Sequence, residues 1–146
     1  MTSDSPKHFE IELTERVGFE DLPAVVVIIN PYQEIDNATS RDDYFNAFVV
    51  AVSFFEYYGY RKLRDFFKNQ ISDDKLERLS ASEIMIFLFG LKIIDQPTYA
   101  RMKDVIDMRN DLVHPKGDIA KKYRLDKNEA KSLLGKAKQV IEALLK

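Results

Sequence analysis

The spacing of hydrophobic and polar positions changes character near residue 40. Before it, Phe9, Ile11 and Leu13 alternate with polar neighbours, the rhythm of a short strand. The run Pro23 to Ile29 is rich in β-branched residues and fits a buried strand or a packed helix equally well, since so short a run has no decisive period. Pro31 is expected to stop it. From Ser40, read as an N-cap with Asp42 and Asp43 in the first turn, the apolar positions shift to three- and four-residue steps. Tyr44, Phe45, Phe48, Val49, Val52 and Phe55 form a stripe expected to end near Gly59. Ser80 and Glu83 make a capping box ahead of the apolar run Ile84 to Leu91, which predicts a short buried helix. Pro97 suits the first turn of a helix running to Val113, where Pro115 ends it. Asp126 and Glu129 open a last helix with the stripe Ala130, Leu133, Leu134, Ala137, Val140, Ile141 and Leu144. The pattern predicts an all-α bundle of four or five helices over residues 41–146, preceded by a segment, 1–40, that is strand or helix.

Composition narrows the chemistry more than the fold. The 146 residues, 45% hydrophobic and 32% charged, suit one globular domain. With no cysteine, thiolate nucleophiles and Cys-ligated zinc are excluded, and two histidines, His8 and His114, leave little for a metal site. The five glycines stand singly, which argues against a phosphate-binding glycine loop. No cofactor is expected. No apolar run approaches the ~20 residues of a membrane span, and no secretory signal is visible, so a cytoplasmic protein without membrane contact is the expectation.

Charge is unevenly spread although the net is only −2. Residues 1–40 carry two basic and eight acidic groups, and residues 115–146 carry nine basic and four acidic ones. Lys116, Lys121, Lys122 and Arg124 can attract RNA phosphates, or can belong to a solvated lysine-rich surface.

The helix from Pro97 to Val113 carries the candidate chemistry. At about 100° per residue, Met102, Val105, Ile106, Leu112 and Val113 share one arc, and Arg109 falls near its middle. A guanidinium stays charged, so an arginine there needs a carboxylate, a wet cleft or a partner surface. Asn110 and His114, four residues apart, share one edge of the arc. His114 precedes Pro115 and is therefore pushed out of helical geometry. Arginine offers a planar fork to phosphate oxygens, and histidine exchanges protons near neutral pH. The RNA 2′-hydroxyl supplies a nucleophile in place, so these groups suit phosphoryl transfer with no bound ion.

The segment Arg109-Asn-Asp-Leu-Val-His114, followed by Pro115, resembles the R-x4–6-H signature of HEPN domains. The resemblance implies an all-α bundle, a metal-independent endoribonuclease that leaves a 2′,3′-cyclic phosphate, and a homodimer whose paired motifs meet in one cleft. It also implies a place in toxin–antitoxin, antiviral or RNA-processing systems, with an antitoxin or other protein as partner. Arg109 and His114 match the catalytic pair, and Asn110 the accessory polar position. Family members often keep an acidic residue on an earlier helix, and Glu56, bordering the apolar stripe, is the candidate. It pairs with Arg109 or orients His114, or else bridges locally to Arg61 or Lys62. One departure is Lys116, where HEPN toxins silenced by nucleotidyltransferases carry a tyrosine. The alternative to a nuclease is a HEPN-like module that binds RNA, a nucleotide or a protein without cutting. The aromatic cluster Phe54, Phe55, Tyr57, Tyr58 and Tyr60 can stack bases, but its helical spacing reads rather as core and interface.

Overall fold

The computed structural model describes residues 9–12, 26–68, 70–114 and 125–146. Strands β1 (Phe9–Glu12) and β2 (Val26–Ile29) pair antiparallel, with Phe9 opposite Ile29 and Glu12 opposite Val26. The β-branched run is thus a strand where it meets a partner. Pro31 does end it, yet it also begins a helix, because an N1 position needs no N–H and proline's φ is already helical. Helix α1 (Pro31–Ser40) is capped by Asn30, whose side-chain oxygen accepts from the Tyr32 and Gln33 amides at 3.0 and 3.2 Å. Ile35 and Ala38 bury its inner face, so the helical body starts ten residues ahead of the expected boundary at 41.

Ser40 closes α1 and does not cap the next helix. Asp42 turns the chain in the left-handed region (φ 55), which a short polar side chain tolerates, and Asp43 caps instead by accepting from the Asn46 amide at 3.1 Å. Helix α2 (Tyr44–Phe67) is the central post, with Phe48, Ala51, Val52, Phe55 and Leu63 fully buried. It runs straight through Gly59. A Cβ there would stand 2.4 Å from Ile84 Cγ2, so this glycine serves close helix packing and not helix termination. The C-terminus comes instead at Lys68, left-handed at φ 47, whose amide donates to the Arg64 carbonyl at 3.0 Å.

Three further long helices pack around this post, with a five-residue helix, α3 (Asp73–Glu77), beside its end. Helix α4 (Ala81–Gly90) starts at the predicted capping box: Ser80 Oγ accepts from the Glu83 amide, and Glu83 Oε1 from the Ser80 amide. These bonds hold the Glu83 carboxyl below its usual range. Its apolar run is buried on one side only. Ile84, Met85 and Leu88 face the core, and Ile86, Phe87 and Phe89 are exposed. Helix α5 (Gln96–Val113) is capped by Asp95, which accepts from the Thr98 amide at 2.9 Å, with Pro97 in the first turn. Helix α6 (Lys127–Leu144) follows Asp126 and buries Ala130, Leu134, Ala137, Val140, Ile141 and Leu144.

The result is the expected all-α bundle, with the two-stranded ribbon at its N-terminal side. Helix α6 is also tied to α1 by polar contacts: Tyr32 donates to Glu142 at 2.8 Å, and Lys138 pairs with Asp36. Among the described residues no helix is long and apolar enough to cross a membrane.

Candidate functional site

The site is built on the last turn of α5. Its first three turns are anchored by Thr98, Met102, Val105 and Ile106, all buried, and Leu112 anchors the final one. The arc that should be buried throughout opens at its C-terminal end. Arg109, on that arc, is only half-buried, and Val113 is exposed. Met102, Val105 and Ile106 are covered by neighbouring helices, whereas Arg109 and Val113 keep contact with solvent. The cost of burying an unpaired cation is thereby avoided.

Asn110 organises the arginine. Its side-chain oxygen accepts from Arg109 Nε at 2.9 Å. That bond takes the donor on the side of the guanidinium and leaves both terminal amino groups uncommitted among the described residues. An end-on fork of this kind matches two oxygens of one phosphate. The neighbouring amide therefore restricts the fork's rotation before any ligand arrives.

His114 is the C-cap of α5, with φ −124 and ψ 67, outside helical geometry as its position before proline requires. Its amide donates to the Asn110 carbonyl at 2.8 Å, so the backbone is fixed while the ring is exposed. Arg109, Asn110 and His114 thus share one helix end, open to solvent. Glu56 lies half-buried at the edge of the α2 stripe, as its spacing implies. No ion pair joins it to Arg109, His114, Arg61 or Lys62 among the described residues. Arg61 instead lies over the Tyr57 ring, 5.8 Å from its centre. Lys116, Lys121, Lys122 and Arg124 fall outside the described residues, as does His8.

Acidic neighbours of the motif were missed by motif reading. Asp107, Asn110, Asp111 and His114 recur at three- and four-residue steps, which sets two carboxylates along the same side of α5 as the imidazole. Asp107 is tied to Lys103 at 2.6 Å. Both aspartates line a groove of about 410 Å³ between α5 and α6, with Asp104, Glu129 and Lys136. Lys136 reaches Asp104 at 2.9 Å and offsets part of this charge. The signal was available in the sequence as the spacing itself. Among the described residues no group of histidines and carboxylates is arranged to hold a metal ion.

Comparison with family models, curated proteins and solved structures finds no match to this chain.

Proposed function

We propose that the protein is a metal-independent endoribonuclease of HEPN type that works at the C-terminal end of α5. The observation that carries the reading is the Arg109–Asn110 hydrogen bond, 2.9 Å, on a half-buried arginine five residues before an exposed histidine at the same helix end. In this reading the arginine fork grips the two non-bridging oxygens of the scissile phosphate and stabilises charge gathering there. His114 takes the proton from the 2′-hydroxyl, the 2′-oxygen attacks phosphorus, and the bond to the 5′-oxygen breaks. The leaving 5′-oxygen takes a proton from solvent water, giving a 2′,3′-cyclic phosphate and a 5′-hydroxyl, and His114 returns its proton to solvent. Asn110 is a positioning residue. A homodimer would bring a second Arg109 and His114 to the same RNA, and an antitoxin-like protein would be the natural brake on such an activity. A cytoplasmic location belongs to the same proposal.

The test is cleavage of single-stranded RNA by the purified chain in EDTA. Arg109→Ala and His114→Ala should each lower the rate by about 10²-fold or more, with circular dichroism unchanged. Two variants that cut as fast as the parent would overturn the assignment.

One observation favours a second reading, a non-catalytic binding module. Asp107 and Asp111 lie on the side of α5 that carries His114 and would repel a phosphate backbone. Saturable binding of RNA or a nucleotide with no turnover would select that reading.

A further inference from the structure

The outward side of the central helix carries a second arrangement. At about 100° per residue, Phe54, Tyr57, Tyr60, Arg61 and Arg64 fall within about one third of the α2 circumference, and the buried residues of that helix lie on the other side. None of the five is buried, although Phe55 and Tyr58 beside them belong to the core. The aromatic run is therefore divided, and one part of it meets water.

The open rings are braced from beneath. Tyr57 meets the buried Tyr58 edge-on at 5.2 Å, and Phe54 stacks nearly parallel to Tyr58 at 5.9 Å. The Arg61 guanidinium lies over the Tyr57 ring, 5.8 Å from its centre, and Arg64 repeats the arrangement over Tyr60 at 5.7 Å. The two couples are three residues apart, about 4.5 Å along the helix axis. A guanidinium backed by a ring presents its other face to a base and its N–H edge to a phosphate. Backing also narrows the side chain's freedom, so less entropy is lost when a ligand binds.

Charge says which ligand. Over residues 57–68, four basic side chains (Arg61, Lys62, Arg64 and Lys68) stand against one acidic one, Asp65. The chain as a whole is at −2, so this excess is local to the aromatic face. It is not even along that face. The Asp65 carboxylate lies 3.9 Å from Arg64 Nε, and Asp73 and Glu77 of α3 act on Tyr60. The Tyr57–Arg61 couple stands further from α3 along the helix, which makes it the stronger of the two. We propose that this face of α2 binds a single-stranded nucleic acid, whose bases stack on the rings and guanidiniums and whose phosphates meet the arginine edges. The proposal does not rest on cleavage at α5.

Titration of the full chain into fluorescein-labelled oligo(dT), followed by anisotropy at several salt concentrations, tests it. That probe lacks the 2′-hydroxyl, so the nuclease reading can fail without touching this one. Binding should saturate, and unlabelled oligo(U) should compete on equal terms, since both offer bases and phosphates. Tyr57→Leu should weaken binding by roughly fivefold or more, and Tyr57→Phe should restore it. Arg61→Gln, at an exposed position, should lower the affinity and flatten the salt dependence by about 0.7 in log–log slope, one phosphate contact on a single strand. Arg64→Gln should do the same to a smaller degree. Absence of saturable binding, or affinity and salt slope indifferent to both Tyr57→Leu and Arg61→Gln, would overturn the proposal. So would a duplex bound as tightly as the single strand, or an oligoglutamate peptide that competes equally well, because the face would then be reading charge alone.

Discussion

The end of α5 and the outer face of α4 are both open in one bundle, and they are opened by opposite means. At α5 the backbone ends first: His114 leaves helical geometry ahead of a proline, and polar side chains collect at the helix end. At α4 the helix is intact and capped at its first turn, yet three large apolar residues face outward because only one side of the helix meets the post. The first presents polar groups to solvent, and the second presents apolar ones. The contrast teaches that exposure has a different chemical meaning according to whether an element stops or simply runs out of neighbours.

Substitutions can separate the two regions. Leu112→Ala should have the largest effect on stability, about 2–5 kcal/mol for a buried leucine, because it removes the anchor of the last α5 turn. Urea unfolding would measure it, and RNA cleavage should fall along with stability. Gly59→Ala should cost about 1–3 kcal/mol as overpacking, since the added carbon meets Ile84 at 2.4 Å and α4 must shift. Cleavage by the folded fraction should stay level in that variant, and a loss of cleavage would show that the α2–α4 contact is coupled to the end of α5.

A smaller effect comes from pH. Burial pushes the Tyr58 hydroxyl up to about 12 and raises Tyr32 as well, with Glu142 adding to the latter. A phenol raised in the folded state contributes stability below its unfolded value near 10 and loses it as pH rises through the folded value. Thermal unfolding should therefore move to lower temperature between about pH 10 and 12, and Tyr58→Phe should flatten that fall. The Glu83 carboxyl, held low by the Ser80 amide and hydroxyl, and the Asp95 carboxyl, held low by the Thr98 hydroxyl and amide, act in the other direction. Their contribution is present above their unfolded values and fades as acid lowers the pH through the folded ones.

Much of this was legible from residue order. The Ser80–Glu83 box, Pro97 and the spacing of the last stripe locate three helices, because each is a local signal satisfied by local hydrogen bonds. Pro31 ends the β-branched run as expected but also opens a helix, and Gly59 does not end one. Both are punctuation whose meaning depends on what lies opposite: Pro31 starts α1 because Asn30 can cap it, and Gly59 sits mid-helix because Ile84 presses on it. The run Ile84 to Leu91 is apolar on all sides, so no period could say which half meets water. At the site, the pre-proline geometry of His114 followed from sequence. The half-open state of Arg109 did not, because it depends on where neighbouring helices end.

The tie between α1 and α6 has a bearing on biogenesis. Tyr32 and Glu142 are 110 residues apart, and the Lys138–Asp36 and Lys127–Asp42 pairs span nearly as far. A chain emerging from the ribosome presents Ile35 and Ala38 before α6, which packs against α1, has been made. Closure of this bundle waits on α6. Arg109 and His114 are translated before that helix, so the nascent chain exposes its candidate reactive groups ahead of the scaffold that steadies them.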